Sequence, residues 1–195
     1  GTQSPVAGVT FRFIQSNGIT MRIAETGTGP LVLLAHGWPE SWYSWRHQMT
    51  MLADAGYHVV APDMRGYGET DKPAAVDDYN INHVAGDLVG ILDALGEETA
   101  ILVGHDWGAI IVWNMAMIHR ERVSHVINLS VPFMERGPTE WVSFWEEKLG
   151  PDFYMVHFNR QYGVADEVFA NNATQFLNNV YRTSQWLYPR VELGP

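Results

Sequence analysis

Four short apolar runs punctuate the first two thirds of the chain: PLVLLAH, YHVVAPD, TAILVGH and VSHVINLSV. Each is nearly continuous in hydrophobicity, the pattern expected of strands buried on both faces of a parallel sheet. Ahead of them, FRFIQSNGITMRIAETG alternates on either side of Asn17-Gly18, a pair that predicts a tight hairpin turn. Between the runs, WYSWRHQMTMLADAG and NINHVAGDLVGILDALG carry helical patterns and close on Gly56 and Gly96, each suited to a helix C-cap. Strands alternating with helices predict a mostly parallel sheet with helices on both faces, led by an antiparallel hairpin.

Beyond Val131 the strand signals stop. The remainder is rich in aromatic and amide residues, with helical stretches TEWVSFWEEKL, DFYMVHFNRQY and DEVFANNATQFLNNVY. The expected division is therefore an α/β core over residues 1–131 and a mainly helical unit over 132–195. No internal repeat, low-complexity tract or long linker interrupts either part.

Composition narrows the partners. The 195 residues carry a formal charge of -10 and no basic stripe, which argues against nucleic acid. Cysteine is absent, so disulfide and thiol chemistry are excluded. The opening GTQSPVAGVT shows no basic segment followed by an apolar one, so no signal peptide is expected. No apolar run approaches the roughly 18 residues that span a bilayer, and a cytoplasmic location is the default expectation. No HExxH or close His/Asp cluster points to a metal. RGYGET lacks the third glycine of a dinucleotide loop at Asp71, so no cofactor is expected.

The chemistry concentrates at GHDWGA. Gly104, Asp106 and Gly108 follow an apolar strand and precede the helical pattern IIVWNMAMIHR, the spacing of a strand-to-helix elbow with a carboxylate where a serine is usual. Such a turn lifts its central side chain into the crevice at the C-terminal end of a sheet, and its flanking glycines allow close approach. The following helix should direct its free amides and positive dipole end at the carboxylate and keep it ionised. A carboxylate needs no base to act as a nucleophile, and its useful target is a strained or activated saturated carbon, an epoxide or a carbon bearing halide. Attack forms an alkyl ester of Asp106, which activated water then hydrolyses.

A second motif, HGWPESWYSWR, follows the third predicted strand. In this kind of fold the loop there contributes one oxyanion amide and the residue after the nucleophile the other, here Trp38 and Trp107. Pro39 fits a tight turn that can contain a cis bond and direct the Trp38 amide inward.

Taken together, HGWPESWYSWRHQ, APDMRGYGET and GHDWGA closely resemble the epoxide hydrolases of the α/β-hydrolase fold, over about Phe11 to Phe133. The resemblance implies an Asp nucleophile, an HGxP oxyanion loop and a helical cap whose two tyrosines hold the epoxide oxygen. One of these carries over to Tyr154, within PDFYMVHF; Tyr162, Tyr181 and Tyr188 are further candidates. Trp38, Trp107 and Phe133 are expected to line an apolar substrate cleft, with Trp141 as a possible addition, for a small lipophilic epoxide and water as reactants. Association of copies into a homo-oligomer stays open.

The resemblance also implies an acid and, last in the chain, a histidine that activates water. No histidine here is well placed for that role. His36 and His105 neighbour the oxyanion donors, His119 and His125 should fall at the far end of the sheet, and His157 lies three residues from Tyr154. Where related dehalogenases carry the acid, after NLS, this chain has Ser130. The expectation is that the C-terminal part of the fold, with the acid, the base and the second cap tyrosine, is absent from this chain, leaving the cap incomplete. Haloalkane dehalogenation is the nearest alternative, though that family usually has asparagine where Trp38 stands. A non-catalytic binding module that keeps the cleft is the other.

Overall fold

A computed structural model describes residues 3–135 and 137–181. Its strands are β1 (Thr10–Ser16), β2 (Ile19–Thr26), β3 (Leu31–Ala35), β4 (His58–Pro62), β5 (Ala100–His105) and β6 (Val123–Leu129). The helices are α1 (Arg46–Asp54), α2 (Ile81–Leu95), α3 (Trp107–Ile118), α4 (Trp141–Leu149), α5 (Tyr154–Arg160) and α6 (Val164–Val180). The described residues divide into two compact units between Met134 and Glu135, three residues beyond the expected boundary. Among them no helix is long and apolar enough to cross a membrane.

In the first unit the strands form one sheet in the order β1-β2-β4-β3-β5-β6. The β1/β2 and β2/β4 pairs are antiparallel and the other three parallel. The hairpin turns at Asn17 (φ 47°) and Gly18 (φ 81°), two successive positive values that match the right-handed strand twist. Asn80 caps α2 by accepting the N–H groups of Asn82 and His83 at 3.1 and 3.2 Å. Gly96 ends that helix in the left-handed conformation, φ 73°, that favours glycine.

Alternation along β3 sends side chains to both faces. Leu31, Leu33 and Ala35 join a core with Leu88, Ile91 and Leu92 of α2 and Ile111, Val112 and Met115 of α3. Val32 and Leu34 join a second core with Trp42, Trp45 and Met49. A leucine fully removed from water contributes about 1.5–3 kcal/mol. Both faces therefore anchor β3, and the loop leaving its C-terminal end starts from a fixed point.

Strand β6 departs from the expectation of burial on both faces. It is bonded only to β5 in the described sheet, and Ile127 and Leu129 are 50% and 44% exposed. Its apolar run reads like those of the interior strands, yet its edge position among the described residues leaves it half covered.

In the second unit, Glu140 caps α4 through the N–H groups of Val142 and Ser143, both at 3.0 Å. Trp145 of α4 packs on Phe153, ring centres 5.7 Å apart, and Tyr154 lies between Phe153 (5.0 Å) and Phe158 (5.7 Å). Asn172, with φ -130°, breaks the helical path inside α6.

Candidate active site

Strand β5 ends at His105 and α3 begins at Trp107, so the whole reversal falls on Asp106. Its backbone sits at φ 55°, ψ -122°. A non-glycine residue held there costs on the order of 1–3 kcal/mol, which the surrounding packing must offset. The flanking glycines make that packing possible. A Cβ on Gly104 would fall on the carbonyl of Gly108 and lie 2.7 Å from Ala109 Cα, and one on Gly108 would fall on the carbonyl of Ala35. The first turn of α3 thus rests directly on the end of β3.

That contact brings the loop after β3 to Asp106. Trp38 N–H donates to Asp106 Oδ1 at 2.9 Å. The Trp38–Pro39 peptide is cis. Gly37 lies so close that an added Cβ would stand 2.5 Å from Asp106 Oδ1 and 2.8 Å from Cγ. The expectation that α3 itself would hold the carboxylate is not met, because no amide of its first turn bonds the Asp106 side chain. Two of those amides are engaged elsewhere: the backbone carbonyl of Asp106 accepts Ala109 N–H at 3.0 Å and Ile110 N–H at 3.4 Å. At φ 55° the side chain finds its donor in the β3 loop instead. Trp107 N–H, the first amide of α3, makes no hydrogen bond among the described residues, as the first position of a helix allows.

Two histidines adjoin this pair. His36 is buried, its Nε2 accepts Met64 N–H at 3.0 Å and its Nδ1 lies 2.8 Å from Gly37 O. This network assigns the proton to Nδ1, and burial, opposed by the Gly37 bond and by Asp63 and Glu40, lowers the imidazole's affinity for a second proton. His105 Nδ1 lies 3.1 Å from Glu40 Oε2, which also accepts Gly37 N–H at 2.8 Å. Tyr67 packs edge-on against His36, ring centres 4.9 Å apart. Burial first, then the charges of Asp106 and Glu40, push its phenol up to about 12, so it stays protonated at neutral pH.

The sequence motifs alone do not single out Glu40, Tyr67 or the role of Gly37. The available signal was a carboxylate three residues after Gly37, the reach at which a side chain returns to a backbone N–H. APDMRGYGET supports the site from below. Asp63 holds Arg22 at 2.7 Å and Glu69 N–H at 3.1 Å, and Arg65 makes a buried bidentate pair with Asp87 at 2.6 and 2.8 Å.

The remaining candidates are placed as follows. Trp107 and Phe133 are 44% and 46% exposed, and Phe133 meets Trp113 edge-on at 5.6 Å in a shallow depression with Asn128, Ser130, Val131 and Pro132. Ser130 has φ 71° directly after β6. His119 ends α3 and His125 pairs with Ile101 near the start of β5, so both lie at the end of the sheet away from Asp106. Tyr154 opens α5 in the second unit, and His157 and Tyr162 belong to that unit too. Trp141 opens α4 and Tyr181 follows α6. Tyr188 lies outside the described residues.

Comparison with known proteins gives these features a context. Epoxide hydrolase 3 of Siraitia grosvenorii is 51% identical over 159 residues, which are 81% of this chain and 50% of that protein. Epoxide hydrolase A of Mycobacterium tuberculosis is 46% identical over 159 residues, covering 80% and 49%. The chain thus spans about half the length of the curated relatives it matches. A crystal structure of an epoxide hydrolase from Vigna radiata superposes with a TM-score of 0.88 at 35% identity, covering 98% of this chain and 65% of that one. Residues 30–188 match the family described as alpha/beta hydrolase fold, and with the elbow, the sheet order and the β3 loop in their places, the chain belongs to that family.

Proposed function

We propose that this chain carries the nucleophile half of an epoxide hydrolase, converting a small lipophilic epoxide and water to a vicinal diol through an ester of Asp106. The observation that carries the proposal is the 2.9 Å bond from Trp38 N–H to Asp106 Oδ1 at a strained one-residue elbow. It makes the two carboxylate oxygens inequivalent. Oδ1 is held by the loop and Oδ2 is left to attack.

In the first step Oδ2 attacks a ring carbon and the C–O bond to the ring oxygen breaks. The alkoxide takes a proton from a phenol, assigned to Tyr154, and an acid so placed contributes about 10²- to 10⁴-fold. Oδ1 becomes the ester carbonyl with Trp38 N–H already on it. In the second step water adds to Cγ and the negative charge develops on Oδ1, where Trp38 and Trp107 N–H stabilise it. Collapse breaks the bond from Cγ to the bridging oxygen, the departing alkoxide takes up the proton that the base removed from water, and the diol leaves with the carboxylate restored. Within the site His36 cannot activate that water, since both ring nitrogens are engaged, and His105 is committed to Glu40. We assign the base and the triad acid to the part of such an enzyme beyond this chain, and residues 132–195 to the start of its helical cap. Trp38, Trp107 and Phe133 are proposed to line the substrate cleft, and the cytoplasm remains the proposed location.

The relatives named above, epoxide hydrolases in both sequence and structure comparisons, support this reading over dehalogenation. Single-turnover hydrolysis of styrene oxide in heavy-oxygen water tests it. The first diol should be unlabelled and the label should appear in the Asp106 peptide; label in that first diol would refute a carboxylate donor. Bromide release from a bromoalkane at a comparable rate would favour the dehalogenase instead.

A further inference from the structure

The turn that supplies Trp38 holds a second carboxylate, one that the two steps above do not employ. Glu40 is largely enclosed, its side chain 12% exposed. Its Oε2 accepts Gly37 N–H at 2.8 Å and meets His105 Nδ1 at 3.1 Å, while its own N–H donates to Gly37 O at 3.1 Å. Gly37 is therefore held by Glu40 at both its N–H and its carbonyl. Each side-chain anchor stands one residue from a partner of the Trp38–Asp106 bond: Gly37 precedes Trp38 and His105 precedes Asp106. Enclosing an acid near another acid is unfavourable unless its bonds compensate. Here the bonds compensate at the point where oxyanion loop and elbow meet.

We infer that Glu40 is a positioning residue, clamping Gly37 and His105 so that Trp38 N–H stays directed at Asp106 Oδ1. The inference rests on the reading of Asp106 as nucleophile. It separates the two steps. Ester formation draws negative charge off the carboxylate and depends little on a donor at Oδ1, whereas ester hydrolysis concentrates charge on that oxygen. Since one oxyanion donor is worth about 10²- to 10³-fold, a misdirected one should slow ester hydrolysis by about 10- to 100-fold. Glutamine at position 40 keeps an oxygen for Gly37 N–H, so it should recover most of the loss despite the weaker uncharged bond.

Rapid-quench mass spectrometry of the Asp106 peptide with styrene oxide, in the complete polypeptide that carries this segment, reads both rates. In Glu40→Ala the ester should form within about threefold of the unsubstituted rate, decay about 10- to 100-fold more slowly, and accumulate; Glu40→Gln should decay within about fivefold of the unsubstituted rate. Equal decay in all three proteins overturns the inference alone, as does a matched loss of both steps in both variants, which would mark a merely structural residue. No ester in the unsubstituted enzyme overturns the nucleophile reading and this inference with it. If Glu40→Ala does not fold, Glu40→Asp, one methylene short of both partners, carries the same expectation.

Discussion

Replacing Gly37 with alanine tests how tightly the elbow and the loop after β3 are fitted. The new Cβ would stand 2.5 Å from Asp106 Oδ1 and 2.8 Å from Cγ, whereas ordinary contact begins near 3.4 Å. Relief therefore requires a displacement of about 0.9 Å at the carboxylate oxygen. The nearest obstruction is Asp106 Cβ, which rotation of the side chain cannot move, so the backbone of the loop or of the elbow must shift as well, at the roughly 1–3 kcal/mol typical of overpacking. Activity should respond at least as strongly. A misplacement of about 1 Å at a reacting atom can cost on the order of 10²-fold, or about 2.7 kcal/mol of barrier. The rate of ester formation at Asp106 under single-turnover conditions, measured beside the urea midpoint, separates the two effects. Ester formation within about threefold of the unsubstituted rate would show that the close approach of Gly37 does not position the nucleophile.

Three further outcomes follow from named contacts. Asp87→Ala strands the guanidinium of Arg65, 3% exposed, and should cost about 3–5 kcal/mol in urea unfolding, while Asp93→Ala, which breaks an exposed pair with Arg122, should cost at most about 1 kcal/mol; equal losses would refute the distinction. Burial lowers the His36 pKa below its ordinary 6.5, so the unfolded state binds the extra proton first; stability from the neutral ring is present above about pH 6.5 and is lost as pH falls toward the folded value, by up to about 1.4 kcal/mol per pH unit. Urea midpoints at about pH 7.5 and 5.5 should fall further in the unsubstituted protein than in His36→Asn, and identical falls would count against it. Tyr154→Phe should slow ester formation by about 10²- to 10⁴-fold and leave ester decay nearly unchanged; an unaltered formation rate would remove Tyr154 from the reaction.

The parts of this molecule that were legible in the sequence are those governed by short-range rules. PLVLLA reads as a doubly covered strand because β3 lies inside the sheet with a core on either face. Asn17-Gly18 and Gly96 read as turn and cap because their backbones need positive φ. The elbow is visible because Gly104 removes a side chain where β5 meets the first turn of α3, and Gly108 removes one where that turn meets the backbone of β3. Strand β6 carries an apolar run of the same interior kind, but only β5 lies beside it in the described sheet, so Ile127 and Leu129 stand open there. Glu40 was invisible for a related reason. Its partner His105 lies 65 positions away, and nothing short of the folded β3–α3 contact brings them together.

The same contact explains why the expected helix-dipole account of Asp106 needed correction. A side chain that faced the first turn of α3 would bind amides on its own helix, and either oxygen could be taken up by them. Because the elbow resides in one residue at φ 55°, the donor comes instead from a loop on a neighbouring strand and selects a single oxygen, Oδ1. In the proposed reaction, selection of one oxygen has a chemical consequence that a diffuse dipole lacks: the bound oxygen would become the carbonyl of the ester and the unbound one its bridging atom. The donor also needs no repositioning between steps, since it rests on the atom where charge will later gather. Strain at Asp106, close approach at Gly37 and Gly108, and the clamp by Glu40 thus serve one geometric end, and loosening any of them should slow ester turnover before it unfolds the protein.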